Sequence, residues 1–165
     1  MERETVAGLA QRLVQFELRE AAQNTLSRYM DLCDVPRAEF HWADMAALFT
    51  AEAVWEGIGP EYTGKFGQLK GRDAILSMLA DYLPPSLHFT HNVHLLGNGR
   101  IAVSDNTATG EWIMQQLSAF ETGGRELISA RLSVDFEYAE GSARISHFRT
   151  EKLFTADLAA TPVNA

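Results

Sequence analysis

Two short stretches hold the groups best suited to chemistry. "LHFTHNVHL", residues 87–95, carries His88, His91 and His94, three of the five histidines. "RYMDLCD", residues 28–34, carries Tyr29 and Asp34. Imidazole, carboxylate and phenol are the usual parts of general acid–base catalysis. Clustered histidines could also bind a metal, but a metal needs converging ligands. Pro84-Pro85 ahead, and Phe, Thr and Val within, predict a strand over the histidines. His88 and His94 then point one way and His91 the other. At about 3.3 Å per residue, His88 and His94 lie roughly 20 Å apart. No CxxC or HExxH pattern supplies other ligands, so no metal site is expected.

The second stretch sits at the end of a helix. Leu18, Ala22, Leu26, Tyr29 and Cys33 recur at helical spacing, and Pro36 blocks continuation. Tyr29 belongs to the apolar stripe and Asp34 to the terminus. A carboxylate there faces the negative end of the helix dipole, at a cost of about 0.3–1 kcal/mol. Asp34 either solvates a turn before Pro36 or pairs with an imidazole brought from a sheet, which would fix the ring's tautomer.

The elements that must position these groups follow from periodicity. Trp42, Met45, Ala46 and Phe49 mark a second helix. Ile75, Met78, Leu79 and Tyr82 mark a third, opening after Gly71 and closed by Pro84-Pro85. "AVWEGIG" between them reads as a short strand before a Gly-rich loop. After Pro85 the period becomes two. In "RELISARLSVDFEYAEG", Ile128, Ala130, Leu132, Val134, Phe136 and Tyr138 alternate with polar residues. "ETGGR" and "AEGS" are turn signals joining that strand to "TATGEWIMQQLSAF" before it and "ARISHFRTEKLF" after it.

Helices followed by antiparallel strands predict an α+β fold, with N-terminal helices packed on a curved, mostly antiparallel sheet. The result is a cone-shaped α+β barrel enclosing a pocket. One domain over 1–165 is expected, with a core at about 8–155 and a flexible tail at 156–165.

Composition narrows the function. The net charge of -8, with no basic cluster, disfavours nucleic acid as a partner. One cysteine, Cys33, excludes an internal disulfide and fits a cytoplasmic location. The acidic N-terminal stretch has no continuous apolar run, so neither a signal peptide nor a membrane span is expected.

On these residues the chain resembles the SnoaL-like branch of the nuclear-transport-factor-2-like superfamily. That branch includes bile-acid 7α-dehydratases, scytalone dehydratase and hexachlorocyclohexane dehydrochlorinase. "RYMDLCD" resembles the family's Tyr-x4-Asp, which places Tyr29 and Asp34. "LHFTH" resembles the His-x2-His stretch of the bile-acid enzymes, and "HFTHNVHL" the matching stretch of the dehydrochlorinase. In both, the first histidine is catalytic, which lands on His88. "SDNTATGEWIMQQ" resembles the strand that follows. The likeness spans about Leu18 to Phe154. Gln116 stands where the bile-acid enzymes carry a carboxylate, and Lys152 where they carry an arginine. "LLGNGRI" is longer than the family's equivalent, and a gap placed elsewhere makes His91 the base. The motif favours His88; burial, by the company of Phe89, Val93 and Leu95, favours His91.

The resemblance implies cofactor-free elimination, a dehydratase or lyase reaction. His88 would remove a proton from carbon, Asp34 would stabilise the imidazolium, and Tyr29 or Lys152 would hold the developing oxyanion. An isomerase or cyclase would use the same groups. A non-catalytic binding module, or the small subunit of an oxygenase, would need none of them. The expected substrate is a small hydrophobic hydroxy-ketone, polycyclic or aromatic. Phe49, Trp55, Trp112, Met114, Gln116, Phe136 and His91 are expected at the pocket wall. The resemblance also implies a homo-oligomer, dimer or trimer, built through the outer face of the sheet.

Overall fold

A computed structural model describes residues 5–62 and 67–158. α1 (Val6–Cys33) is opened by Thr5, whose hydroxyl accepts from the Gly8 N–H. Its second half buries Leu18, Ala22, Leu26, Tyr29, Met30 and Cys33 against the sheet. The first half carries Val6, Leu9, Leu13 and Phe16 exposed. At Asp34 the backbone turns to φ −76°, ψ 140°, and the chain leaves the helix extended.

α2 (Trp42–Ala47) is a single short helix, and β1 (Phe49–Ile58) follows at once. Phe49, expected to close the second helix, instead opens β1, which is longer than the short strand the sequence suggested. The apolar period of Trp42, Met45 and Ala46 runs on into Phe49, but Phe49 is paired across the sheet with Ile145. β2 (Gln68–Lys70) pairs antiparallel with β1, and α3 (Arg72–Ala80) opens after Gly71 at φ +87°, a conformation suited to glycine.

β3 (Phe89–Leu96), β4 (Arg100–Ser104), β5 (Thr107–Phe120), β6 (Arg125–Ala139) and β7 (Ser142–Asp157) complete one sheet. Its order is β2-β1-β7-β6-β5-β3, with β4 beside β3 on the same neighbour, β5. All pairings are antiparallel except β1 with β7. The architecture is α+β, helices against one face of a curved, unclosed sheet. Ala130, Leu132, Val134 and Phe136 of β6 all point inward, as their alternation requires. β7 continues to Asp157, and Leu158 N–H bonds the Arg125 carbonyl. Residues 156–158 are therefore tied down rather than part of a tail; 159–165 lie outside the described residues, as does part of the loop after β1. No helix among the described residues is long and apolar enough to cross a membrane.

Candidate active site

The end of α1 is stitched to the middle of β3. Val35 and Asn92 exchange backbone hydrogen bonds of 2.9 and 2.8 Å, and Asn92 Nδ2 donates to the Cys33 carbonyl at 3.3 Å. That bridge fixes which residues of β3 meet the helix terminus. Asp34 falls beside His94: its Oδ1 accepts from the His94 backbone N–H at 2.9 Å and lies 2.9 Å from His94 Nδ1. A carboxylate only accepts, so Nδ1 carries the proton and Nε2 is the unprotonated nitrogen of the neutral ring. The His94 side chain is 9% exposed. Nε2 has no protein partner among the described residues.

His94 lines a cavity between the helices and the inner sheet face. An outer compartment of about 280 Å³ narrows to an inner one of about 130 Å³. Tyr29, Cys33, Trp55, Tyr62, His94, Gln116 and Ile128 line both, so His94 stands where the two meet. Phe148 backs the inner end, stacked on Trp55 at 6.0 Å and tilted against Tyr29 at 5.1 Å. Tyr62 is seated directly over Gly57, where any Cβ would fall within 2.4 Å of its ring. A larger, open depression of about 920 Å³ lies on the other side of the sheet, near the β5–β6 turn. The smaller cavity is the better site, because aromatic side chains enclose it and it contains the paired imidazole.

Burial sets the electrostatics. It holds the Tyr29 hydroxyl well above its ordinary pKa of 10.0, and the nearby Trp55 indole opposes this only partly. The Cys33 thiol, a neighbour of Tyr29, is pushed by burial up to about 12. Burial also raises Tyr62, against a hydrogen bond with Thr150. The cavity therefore presents neutral phenols as hydrogen-bond donors, beside one imidazole whose tautomer is fixed.

The residues singled out in the sequence separate cleanly. Tyr29, Trp55, Met114, Gln116, His88 and Lys152 line the cavity. The expected contact of Asp34 with His88 is corrected to a contact with His94. His88 precedes β3 and sits among the rings of Tyr82, Phe89 and Phe120, at 4.9, 4.4 and 5.6 Å, as a wall of the outer compartment. His91 points to the outside of the sheet, so it is neither partner to Asp34 nor part of the cavity wall. Trp112 is core: 2% exposed, its indole N–H donates to Gln23, and its ring covers Gly99 and Gly110. Phe136 packs edge-on against Trp112, and Phe49 edge-on against Tyr29, both behind the cavity wall. The motif points to the first histidine, whereas the structure pairs Asp34 with His94. The available signal was its shared parity with His88.

A sequence model of the SnoaL-like domain matches residues 14–149. A search of the curated proteins finds no match. Among solved structures, the fold is similar to a type 2 hexachlorocyclohexane dehydrochlorinase (LinA), with a TM-score of 0.74 and 20% identity over 92% of this chain and 99% of that one. It is also similar to a protein provisionally described as scytalone dehydratase from Novosphingobium aromaticivorans, with a TM-score of 0.73 and 17% identity over 95% and 98% of the chains. An NTF2-like protein with a cystatin-like fold from the same organism matches at 0.67, with 20% identity over 92% of each chain.

Proposed function

The chain belongs to the SnoaL-like domain family, and from that premise we propose that its cavity is the active site of a cofactor-independent lyase. The reaction is dehydration of a small hydrophobic hydroxy-ketone by His94 and Asp34. One observation carries this reading: His94 is held through Nδ1 by Asp34 while its Nε2, without a partner among the described residues, stands at the waist of an aromatic cavity.

His94 Nε2 takes the proton on the carbon beside the substrate carbonyl. The C–H electron pair becomes the new C=C bond by way of an enolate, and the bond to the β-hydroxyl breaks. The proton on Nε2 leaves with that hydroxyl as water, which restores the neutral ring. Asp34 holds the transient imidazolium by the same bond that fixed the tautomer. Tyr29, kept neutral by burial, donates to the enolate oxygen; Lys152 supplies positive charge from the outer compartment. General acid–base participation of this kind contributes about 10²–10⁴-fold. Dehydrochlorinase and scytalone dehydratase are the activities that two of the structural relatives' names carry; both are eliminations.

The base can be tested without knowing the leaving group. Wild-type protein should accelerate deuterium uptake from D2O into the acidic CH2 of 2-tetralone, and His94→Gln should lose about 10²–10⁴ of that rate. A set of cyclic β-hydroxy ketones should then give enones. Exchange no faster than in buffer would leave a binding module; exchange with no enone, but a shifted double bond in an unsaturated ketone, would mean an isomerase.

A homo-oligomer in the cytoplasm belongs to the same reading. Val93, Leu95, Ile113 and Leu117 lie exposed on the outer face of β3 and β5, a patch that a second copy would cover.

A further inference from the structure

Beside His94, Gln116 is held in one orientation by a relay that begins at a backbone carbonyl. The Cys33 carbonyl only accepts, so the Asn92 atom 3.3 Å from it is the amide nitrogen. Asn92 Oδ1 therefore faces the other way, 3.0 Å from the Gln116 amide and 2.9 Å from Ser118 Oγ. An acceptor must be met by donors, so the end of Gln116 at Asn92 is its NH2, which also reaches Ser118 Oγ at 3.1 Å. Asn92 and Ser118 are themselves buried, at 2% and 4% exposure, so the relay is not remodelled by solvent. Gln116 thus has partners for its amide nitrogen within the relay. Its Oε1 has none among the described residues, and Gln116 lines both compartments.

The geometry points to Gln116 Oε1 as a fixed hydrogen-bond acceptor for the ligand, so the ligand carries a hydroxyl, or another N–H or O–H donor, at that point of its ring system. This rests on reading the cavity as a small-molecule site, but not on His94 acting as a base. The hydroxyl held there is not the one eliminated. A leaving oxygen needs a donor to take up its developing charge, and Oε1 offers only lone pairs. The substrate class becomes a two-ring-sized hydroxy-ketone with a second hydroxyl that is retained. A carboxylate at this position would also accept. The amide accepts without charge, which suits a neutral polyol-like or phenolic ligand over a cation.

Binding of 2-naphthol and of 2-methoxynaphthalene, followed by quenching of tryptophan fluorescence, separates donor from shape. Wild-type protein should prefer the naphthol by about ten-fold, one hydrogen bond's worth. Gln116→Met should bring the ratio to about one while the ether binds as before. Because removing the amide leaves Asn92 Oδ1 short of a donor, a structure of the wild-type naphthol complex is a second readout. It should show the naphthol oxygen at hydrogen-bond distance from Gln116 Oε1. A ratio near one in wild type, a ratio unchanged in Gln116→Met, or a naphthol oxygen bonded to His94 Nε2 alone would each overturn the proposal. None of these outcomes depends on turnover, so failure here is distinct from failure of the lyase reading.

Discussion

Two histidines carried by the sheet, His94 and His147, are placed against carboxylates, one on each face, and they differ in what is left over. On the inner face, Asp34 takes His94 Nδ1, and no group among the described residues takes Nε2. On the outer face, His147 Nδ1 accepts from Arg149 at 2.6 Å, and its Nε2 lies 3.2 Å from Glu56 Oε1. The Nε2 contact is close in distance but out of line for a hydrogen bond, so it is better described as charge proximity. Arg149 also reaches Asp135 at 2.9 Å, and Thr109 donates to Asp135 at 2.9 Å. The outer imidazole is thus closed on both sides within a charged network. The inner one is closed on one side only and open to a cavity. A His–carboxylate pair does not by itself make a base; a free nitrogen facing a space that can hold a ligand does.

The largest test of that contrast is an exchange of roles. Asp34→Asn should lower 2-tetralone exchange by about 10²–10⁴-fold, because an amide can donate to Nδ1 and so favour the wrong tautomer. His147→Gln should leave the rate within about two-fold of wild type, well under the span of one general base. Equal losses in both variants would mean that the rate follows stability rather than the inner pair.

The contrast was half visible in the sequence. Alternation in β6 identified its inward residues, and the strand reading put His88 and His94 on one side with His91 opposite. The structure keeps that parity. What alternation could not supply was the long-range register: the Val35–Asn92 bridge joins residues far apart in sequence, and it alone decides which histidine Asp34 meets. The expectation that apolar neighbours bury His91 failed for a related reason. Val93 and Leu95 lie on the exposed outer face, while the inward face of β3 carries the polar Asn92. Trp112, expected at the pocket wall, lies in the core. A local signal pointed there: Gly110, two residues earlier on the same strand face, leaves room for the indole.

A second contrast is one of charge state, and it is read through pH. Tyr29 and Cys33, at the inner end, are neutral and buried. Unfolded, the Cys33 thiol would lose its proton near 9.0; folded, it keeps it to about 12. Between those values the unfolded chain binds fewer protons, so stability falls as pH rises, by about 1.4 kcal/mol per pH unit for one group. Tyr29 adds to the fall above its ordinary 10.0, with the same sign. Urea unfolding at pH 8, 9 and 10 should show the decline, and Cys33→Ala should flatten its first part. A wild-type stability that is level over this range would mean that the end of α1 is wetter than its packing implies.

The outer network should answer to salt instead, and weakly. Arg149 is 27% exposed and its carboxylate partners 20% and 32%, so solvent screens much of each pair. Arg149→Met keeps the aliphatic stem, and should cost about 1 kcal/mol or less of unfolding free energy at low ionic strength. The difference should shrink as salt rises toward 1 M, where charges are screened beyond about 3 Å. Exchange of 2-tetralone should not change, since Arg149 lies on the opposite face of the sheet from His94. If Arg149→Met slowed exchange as much as Asp34→Asn, the two faces would be coupled through β7 and β6, and the outer pair would be part of the catalytic apparatus rather than a brace for the sheet.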